Sequence, residues 1–158
     1  MISIEPITSR NVLVFRDVRL RALQDAPTAF GSNYAQECQL THADWRERVL
    51  RWNGQGGAGF LAMDQNTACG IAGVFIDERD PTRAQMVSMW IAPTQRRRGI
   101  GRLLVEDIVT WVRQREGRTL GLMVTSNNES AISFYRRLGF TPTGRTEPYP
   151  NDPSLIEV

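Results

Sequence analysis

Cysteine and histidine are scarce in this chain. Its 158 residues include two cysteines, Cys38 and Cys69, and one histidine, His42. So few nitrogen and sulfur ligands make a zinc site improbable, and we expect no bound metal. The two cysteines lie far apart in the sequence and show no paired spacing. This pattern predicts two reduced, buried thiols rather than a framework of disulfides.

Long apolar runs and a strong charge imbalance are also missing. No apolar stretch has the roughly 20 residues of a membrane-spanning helix. The N-terminus MISIEPITSRN lacks the basic head and apolar run of a secretory signal. The 19 Lys and Arg against 17 Asp and Glu give a net charge of only +2, whereas nucleic-acid-binding domains are usually strongly basic. We therefore expect a cytoplasmic protein that binds neither a membrane nor a nucleic acid.

The apolar periodicity predicts an α+β fold. Strands are predicted at 2–7, 60–63, 71–76, 86–92, 120–124, 140–141 and 154–158. Helices are predicted at 12–23, 29–37, 41–52, from 100 to near 117, and at 131–138. Thr41 and Asp44 have the spacing of a helix cap, and Asn128 is a second candidate cap. This order of elements favours a single domain in which helices cover a mixed, largely antiparallel sheet.

The stretch TQRRRGIGRLL, residues 94–104, lies between a predicted strand and a predicted helix. The first amides of a helix lack partners, and its dipole adds positive potential, so an anion binds well there. Gly99 and Gly101 lack a Cβ atom, which would let a pyrophosphate approach the backbone. The spacing fits neither a P-loop nor a dinucleotide-binding fingerprint. On spacing alone, a solvated basic turn remains an equal alternative.

Two spaced motifs extend this observation. The pattern Arg-x-x-Gly-x-Gly occupies 96–101, and Asn-x-x-Ala-x-x-x-Tyr-x-x-x-Gly-Phe occupies 128–140. Together they resemble the GNAT N-acetyltransferase superfamily, specifically over 86–140 and more loosely over 1–80. Residues 21–32, RALQDAPTAFGS, are similar to a predicted bacterial subgroup of unknown substrate. The resemblance implies one acetyltransferase domain over 1–158, with helices on both faces of the sheet and acetyl-CoA between splayed fourth and fifth strands.

The same resemblance implies which residues bind acetyl-CoA. Backbone amides of the arginine–glycine turn would hold the pyrophosphate, and the preceding strand would bind the pantetheine arm. Asn128 would contact that arm, and Tyr135 would lie near the sulfur. The implied cofactor-binding residues are Met89, Trp90, Ile91, Arg96, Arg97, Arg98, Gly99, Ile100, Gly101, Arg102, Asn128 and Tyr135.

The implied reaction is direct transfer of an acetyl group to a primary amine of a small molecule, peptide or protein. A lysine-like amine is neutral in only about one part in a thousand at pH 7, so a base matters. Gln85 stands where some relatives carry a glutamate. Glu37, or a water held by Ser88, is a candidate replacement, and His42 is a weaker one.

The resemblance also implies other roles near the transfer point. Tyr135 would be the general acid for the leaving thiolate, and amides near Trp90 and Ile91 would stabilise the oxyanion. Ser88 and Trp90 would line the acceptor pocket. Because the family glutamate is missing, a non-catalytic acyl-CoA-binding sensor or interaction module remains an alternative. We expect a monomer or a homodimer, with a C-terminal strand that ends incomplete at Val158.

Overall fold

A five-stranded sheet in the order β1–β2–β3–β4–β5 organises the chain. The computed structural model describes residues 2–25, 34–52, 56–124, 128–141, 147–149 and 152–157, the last two segments by backbone alone. The strands are β1 (Ile2–Pro6), β2 (Gly57–Asp64), β3 (Thr67–Ile76), β4 (Arg83–Ile91), β5 (Thr119–Gly121), β6 (Glu147–Tyr149) and β7 (Asp152–Glu157). The helices are α1 (Val12–Asp25), α2 (Tyr34–Glu37), α3 (His42–Arg51), α4 (Ile100–Gln114) and α5 (Glu129–Arg137).

The pairing of the strands confirms the predicted α+β class. Strands β1 to β4 pair antiparallel in chain order. Strand β5 follows the crossover helix α4 and pairs parallel with β4, joining Arg83–Gln85 to Thr119–Gly121. Helices cover both faces of this sheet. Within the described segments, no helix is both long and apolar enough to cross a bilayer.

Local capping explains where two helices begin. At the start of α3 the Thr41 hydroxyl accepts from the Asp44 amide at 3.1 Å, and Asp44 accepts from the Thr41 amide at 2.9 Å. This reciprocal pair satisfies two amides that a helix start leaves unpaired, as the sequence predicted. Helix α5 begins after Asn128, whose Oδ1 accepts from the Ala131 amide at 3.2 Å.

Three sequence predictions were wrong in detail. The strand expected at 120–124 ends at Gly121, because β4 and β5 diverge there. Residues 140–141 form no strand, since the Phe140 amide donates to the Tyr135 carbonyl at 3.0 Å and closes α5 instead. Cys38 is exposed in the turn after α2, whereas Cys69 is buried as predicted.

The ends of two other predicted elements lie partly outside the described residues. Of the helix expected at 29–37, the structure describes only the single turn α2, from 34 to 37. The strand expected at 154–158 lies within β7 up to 157. Strand β7 pairs with β6, which the sequence had not indicated because two prolines and a tyrosine sit among polar residues there.

Candidate active site

The divergence of β4 from β5 opens a cleft in the sheet. Past Gln85 and Gly121 the two strands no longer pair, and α5 lies beside the gap. The cleft is lined by Met86, Val87, Ser88, Met89, Leu122, Met123, Val124, Asn128, Ala131 and Tyr135. The structure therefore brings four sequence-predicted site residues together at one place: Ser88, Met89, Asn128 and Tyr135.

A bulge in β4 shapes one wall of this cleft. Ile71 pairs with Trp90 and Gly73 pairs with Val87, so Ser88 and Met89 together lie opposite Ala72. Ser88 has φ +60°, in the left-handed region that non-glycine residues rarely adopt. Such bulges re-aim side chains and recur next to active sites. The sequence contains no local signal for this one, since serine is not the residue expected at a positive φ.

The hydrogen bonds between β3 and β4 distinguish the amides of Trp90 and Ile91, which were both candidates for oxyanion binding. The Ala92 amide donates to the Cys69 carbonyl at 2.8 Å, in register with the pair of Trp90 and Ile71. Because amides alternate along an antiparallel strand, the Trp90 amide faces β3 and the Ile91 amide faces the opposite side. The ladder thus favours Ile91 over Trp90 as an amide that faces a ligand beside β4.

The arginine–glycine turn lies at the start of α4. Gly99 is the N-cap residue with φ +80°, and Arg97 has φ +67°. A Cβ atom built on Gly99 would meet no heavy atom within 4 Å, so the turn faces open space. Turns that combine left-handed residues with helical ones gather backbone amides into an anion-binding concavity. At the positive end of a 15-residue helix, this geometry suits a phosphate group.

Gly101 lies at a close contact between α4 and α5. A Cβ atom at Gly101 would lie 2.7 Å from Cζ of Phe134, and the residue is buried. The missing side chain therefore lets α4 pack closely against α5. The approach of a pyrophosphate to the amides of Gly99 and Gly101 stays a prediction, because packing on the Cβ side of Gly101 does not test its amide.

We expect Gly101→Ala to destabilise the protein by about 1–3 kcal/mol, the usual cost of overpacking a tight contact. A fall in the thermal unfolding midpoint would measure this cost. Phe134→Leu should remove the clash, so the double variant should recover part of the loss. Equal destabilisation in the single and double variants would show that the contact with Phe134 is not the cause.

Two arginine side chains of the turn bind other parts of the protein. Arg96 donates from Nη2 to Asp25 Oδ2 at 2.8 Å and from Nε to the Ile91 carbonyl at 3.0 Å. Arg98 donates to Asp64 at 3.3 Å and also to a neighbouring glutamine. These pairs are partly exposed and individually weak. They fix the turn against the ends of α1 and β2, so an anion there would depend mainly on backbone amides.

Tyr135 presents a buried phenol to the cleft. It is 8% exposed, and its ring packs edge-on against Phe134 at 5.1 Å and Phe140 at 5.6 Å between centroids. Burial raises the pKa of Tyr135 above its ordinary value. The phenol is therefore protonated at neutral pH and can donate a proton or a hydrogen bond.

The base candidates lie away from the cleft lining. Glu37 is 1% exposed and accepts from Arg19 at 3.1 and 3.2 Å and from Arg48 at 2.8 Å. Two guanidinium groups stabilise its ionised form, which makes the carboxylate a poor proton acceptor. His42 is exposed at the first position of α3. Gln85 is exposed on β4, opposite Phe75 and Gly121.

Arg19, which contacts the cleft residue Ser88, was not predicted from the sequence. It lies on the buried face of α1 beside Val18 and Ala22, and its Nη1 donates to the Ser88 hydroxyl at 2.9 Å. An arginine flanked by apolar residues of a helix stripe is a usable signal, because arginine is rarely buried without a partner. Its partners on α2 and β4 are distant in sequence, which is why the pairing was not predictable.

A sheet that splits beside an open helix N-terminus suits an acyltransferase, and the comparisons with known proteins agree. Residues 20–140 match the model of the acetyltransferase (GNAT) family. This span is more than half of the chain. The chain therefore belongs to the GNAT family of acetyltransferases, as its motifs had suggested.

Individual relatives indicate that the reaction is acetyl transfer to an amine. The [ribosomal protein bS18]-alanine N-acetyltransferase of Salmonella typhimurium is 34% identical over 119 residues, which cover 71% of this chain and 76% of that protein. A peptidyl-lysine N-acetyltransferase of Escherichia coli K12 is 33% identical over 90 residues, 49% of this chain and 58% of that one. The protein is an N-acetyltransferase.

Solved structures share the fold at lower identity. A GNAT-family acetyltransferase from Streptococcus pneumoniae superposes with a TM-score of 0.78 at 19% identity, covering 92% of this chain and 88% of that chain. An aminoglycoside N-acetyltransferase in complex with CoA gives a TM-score of 0.73 at 16% identity, covering 92% and 91%. The second neighbour shows that this fold accommodates CoA.

Proposed function

We propose that the protein uses acetyl-CoA as its co-substrate and transfers the acetyl group directly to a primary amine. The observation that carries this proposal is the cleft between β4 and β5, with the open Gly99 turn at the start of the adjacent helix. A thioester with a long amide-containing arm and a pyrophosphate fits such a cleft. The arm would bind the unpaired edge of β4, and the pyrophosphate would bind the amides at the start of α4.

The residues that would hold the arm lie on facing walls of the cleft. On β4, the backbone of Met89 and the Ile91 amide lie on the edge that β5 no longer covers. On the other wall, Asn128 uses its Oδ1 to cap α5, which leaves its Nδ2 group as a donor. The side chains of Arg97 and Arg102 are exposed near the turn and would add positive charge.

Tyr135 is the group that we propose as the general acid. The amine nitrogen attacks the acetyl carbon, negative charge collects on the carbonyl oxygen, and the carbon–sulfur bond then breaks. The buried phenol can give its proton to the leaving thiolate, and the Ile91 amide can donate to the carbonyl oxygen. The amine proton leaves to water, and the Tyr135 phenolate regains a proton from water. Glu37 is held by two guanidinium groups, so we propose an ion-pairing role for it instead of general-base catalysis.

We infer the class of acceptor amine from the side chains that could accept its proton. Exposed Gln85 cannot accept a proton, and Glu37 is already paired. A lysine amine has a pKa near 10.4, whereas a peptide α-amine has one of about 7.7–8.0 and is neutral in roughly one molecule in ten at pH 7. An α-amine therefore depends much less on a strong base. The bS18-alanine N-acetyltransferase among the relatives is in keeping with such an acceptor.

Thiol release from acetyl-CoA tests the proposal. The acceptor panel should contain peptides with a free α-amine, the same peptides with an acetylated α-amine and an internal lysine, and small polyamines. We expect turnover to be fastest with the free α-amine. Calorimetric binding of acetyl-CoA without turnover on any acceptor would favour the sensor alternative and would contradict the proposal.

Replacing Gln85 should reveal whether proton removal limits the rate. We expect Gln85→Glu to raise the rate with a lysine acceptor at pH 7 by about tenfold, below the ~10²–10⁴-fold of a fully positioned base. With an α-amine acceptor the change should be small. Gln114→Glu, at the far end of α4, is the matched control for added charge. Equal gains with both acceptors would contradict the proposed preference.

A further inference from the structure

A buried ionic chain connects the helices α1, α2 and α3 to the cleft. Arg19 is 8% exposed and Glu37 is 1% exposed. The guanidinium of Arg19 uses Nε and Nη2 for the two Glu37 oxygens, at 3.1 and 3.2 Å. Arg48 on α3 donates to the same carboxylate at 2.8 Å. Such a paired arrangement fixes the position and the plane of the Arg19 guanidinium.

The third nitrogen of Arg19 reaches the bulge in β4. Its Nη1 donates to the Ser88 hydroxyl at 2.9 Å, across 69 positions of sequence. Ser88 is one of the residues that line the cleft, and its backbone is left-handed at φ +60°. A non-glycine residue holds this conformation only when its surroundings compensate for the strain. The contact with Arg19 is one such compensation.

The direction of this hydrogen bond decides what the Ser88 hydroxyl can do. Its oxygen accepts from a guanidinium, so its own hydrogen is available to another acceptor. The adjacent positive charge makes the hydroxyl a stronger donor and disfavours the arrival of a further proton. A hydroxyl in this setting suits a ligand atom that gains negative charge. It does not suit a water that must remove a proton from the amine.

We propose that Arg19 is a positioning residue for the acetyl transfer, and that it aims the Ser88 hydroxyl at the acetyl carbonyl oxygen. In this role Ser88 is a second donor to the oxyanion, beside the Ile91 amide. The inference rests on the proposed acetyltransferase function. It adds a side-chain donor, and a buried ionic chain that supports it, to the backbone amide already described.

The kinetic signature of such a donor is specific. A contact made mainly in the transition state lowers kcat and kcat/KM together and leaves the KM values alone. We therefore expect Ser88→Ala to lower kcat about tenfold, as for one charge-assisted hydrogen bond. Ser88→Gly should lose as much, although it relieves the backbone strain. Ser3→Ala, on the exposed face of β1, is the control for removing a hydroxyl.

A double-mutant cycle tests the link between the two residues. Arg19→Lys should also lower kcat about tenfold, and Arg19→Lys combined with Ser88→Ala should lose little more than either change alone. Arg16→Lys, exposed on the same helix, is the matched control. Independent losses that multiply to about a hundredfold would overturn the inference. So would an increase in the acceptor KM at constant kcat, or a shifted pH profile of kcat/KM.

A second variant of Ser88 tests the inference if Arg19→Lys does not fold. If Arg19→Lys does not fold, Ser88→Asn replaces it, because asparagine tolerates the left-handed region and carries both an acceptor for Arg19 and a donor for the cleft. It should recover part of the rate lost in Ser88→Gly, and no recovery would contradict the inference. All ratios refer to turnover by the unmodified protein. Its inactivity on every acceptor would instead overturn the proposed function.

Discussion

Gly99→Glu should abolish acetyl-CoA binding. The turn at the start of α4 is open at Gly99, where a side chain would meet nothing within 4 Å. A glutamate there would place a carboxylate where we propose the pyrophosphate binds, and like charges at this distance repel strongly. It would also disfavour the left-handed φ of +80° by about 1–2 kcal/mol. We expect the Kd, measured by calorimetry, to rise by on the order of 10²-fold or more.

The backbone penalty must be separated from the charge effect. Gly99→Lys shares the backbone penalty but does not add negative charge, so it should weaken binding much less. Gly139→Glu makes the same change at another glycine of positive φ, +104°, with open space around it, just after α5. It should leave acetyl-CoA affinity nearly unchanged. Retained affinity in Gly99→Glu would rule out the proposed pyrophosphate site.

Arg96→Ala should weaken acetyl-CoA binding far less than Gly99→Glu, by about tenfold at most. Its guanidinium already binds Asp25 and the Ile91 carbonyl, so its loss would loosen the turn and leave the backbone amides in place. A partly exposed ion pair of this kind contributes about 0–1 kcal/mol. Calorimetric titration of both variants gives the comparison. A loss for Arg96→Ala as large as that for Gly99→Glu would mean that the arginine itself is the main anion ligand.

Local chemistry made much of the fold predictable from the sequence. The cap at Thr41 and the apolar stripe of α4 are set by residues within a few positions of one another, and both were predicted correctly. The strands β2 and β3 were predicted from the apolar runs at 60–63 and 71–76. The length of β5 was not, because alternation in 120–124 says nothing about where the neighbouring strand diverges.

The residues of the cleft could be predicted only where they belong to a motif that resembles a known family. Asn128 and Tyr135 belong to one short motif on α5 and its cap, and the structure places both at the cleft. The bulge at Ser88 and the ionic chain behind it depend on contacts across 18 and 69 positions. No local propensity encodes such contacts. The packing of Gly101 against Phe134 is a further contact that the motif did not indicate.

Tyr135→Phe should lower kcat by about 10²-fold, the low end of the range for a general acid, because a thiolate leaves fairly well without help. The change removes one hydroxyl and keeps the ring that packs between Phe134 and Phe140. Acetyl-CoA affinity and thermal stability should therefore barely move. Steady-state kinetics on an acceptor with rate-limiting chemistry, together with calorimetry, provide the measurement. Tyr34→Phe, on the surface at α2, is the matched control.

The pH dependence of the rate is a second, independent test of Tyr135 as the general acid. Because burial raises the pKa of Tyr135, the proton-donating form persists through pH 10, the ordinary value for a tyrosine. The rate of the unmodified protein should therefore not fall between pH 7 and 10 from loss of this acid. It should rise toward a plateau as the acceptor amine loses its proton. If Tyr135→Phe keeps full kcat when chemistry limits the rate, the phenol is not the acid, and Tyr135 belongs with its two phenylalanine neighbours as part of the packing under the cleft.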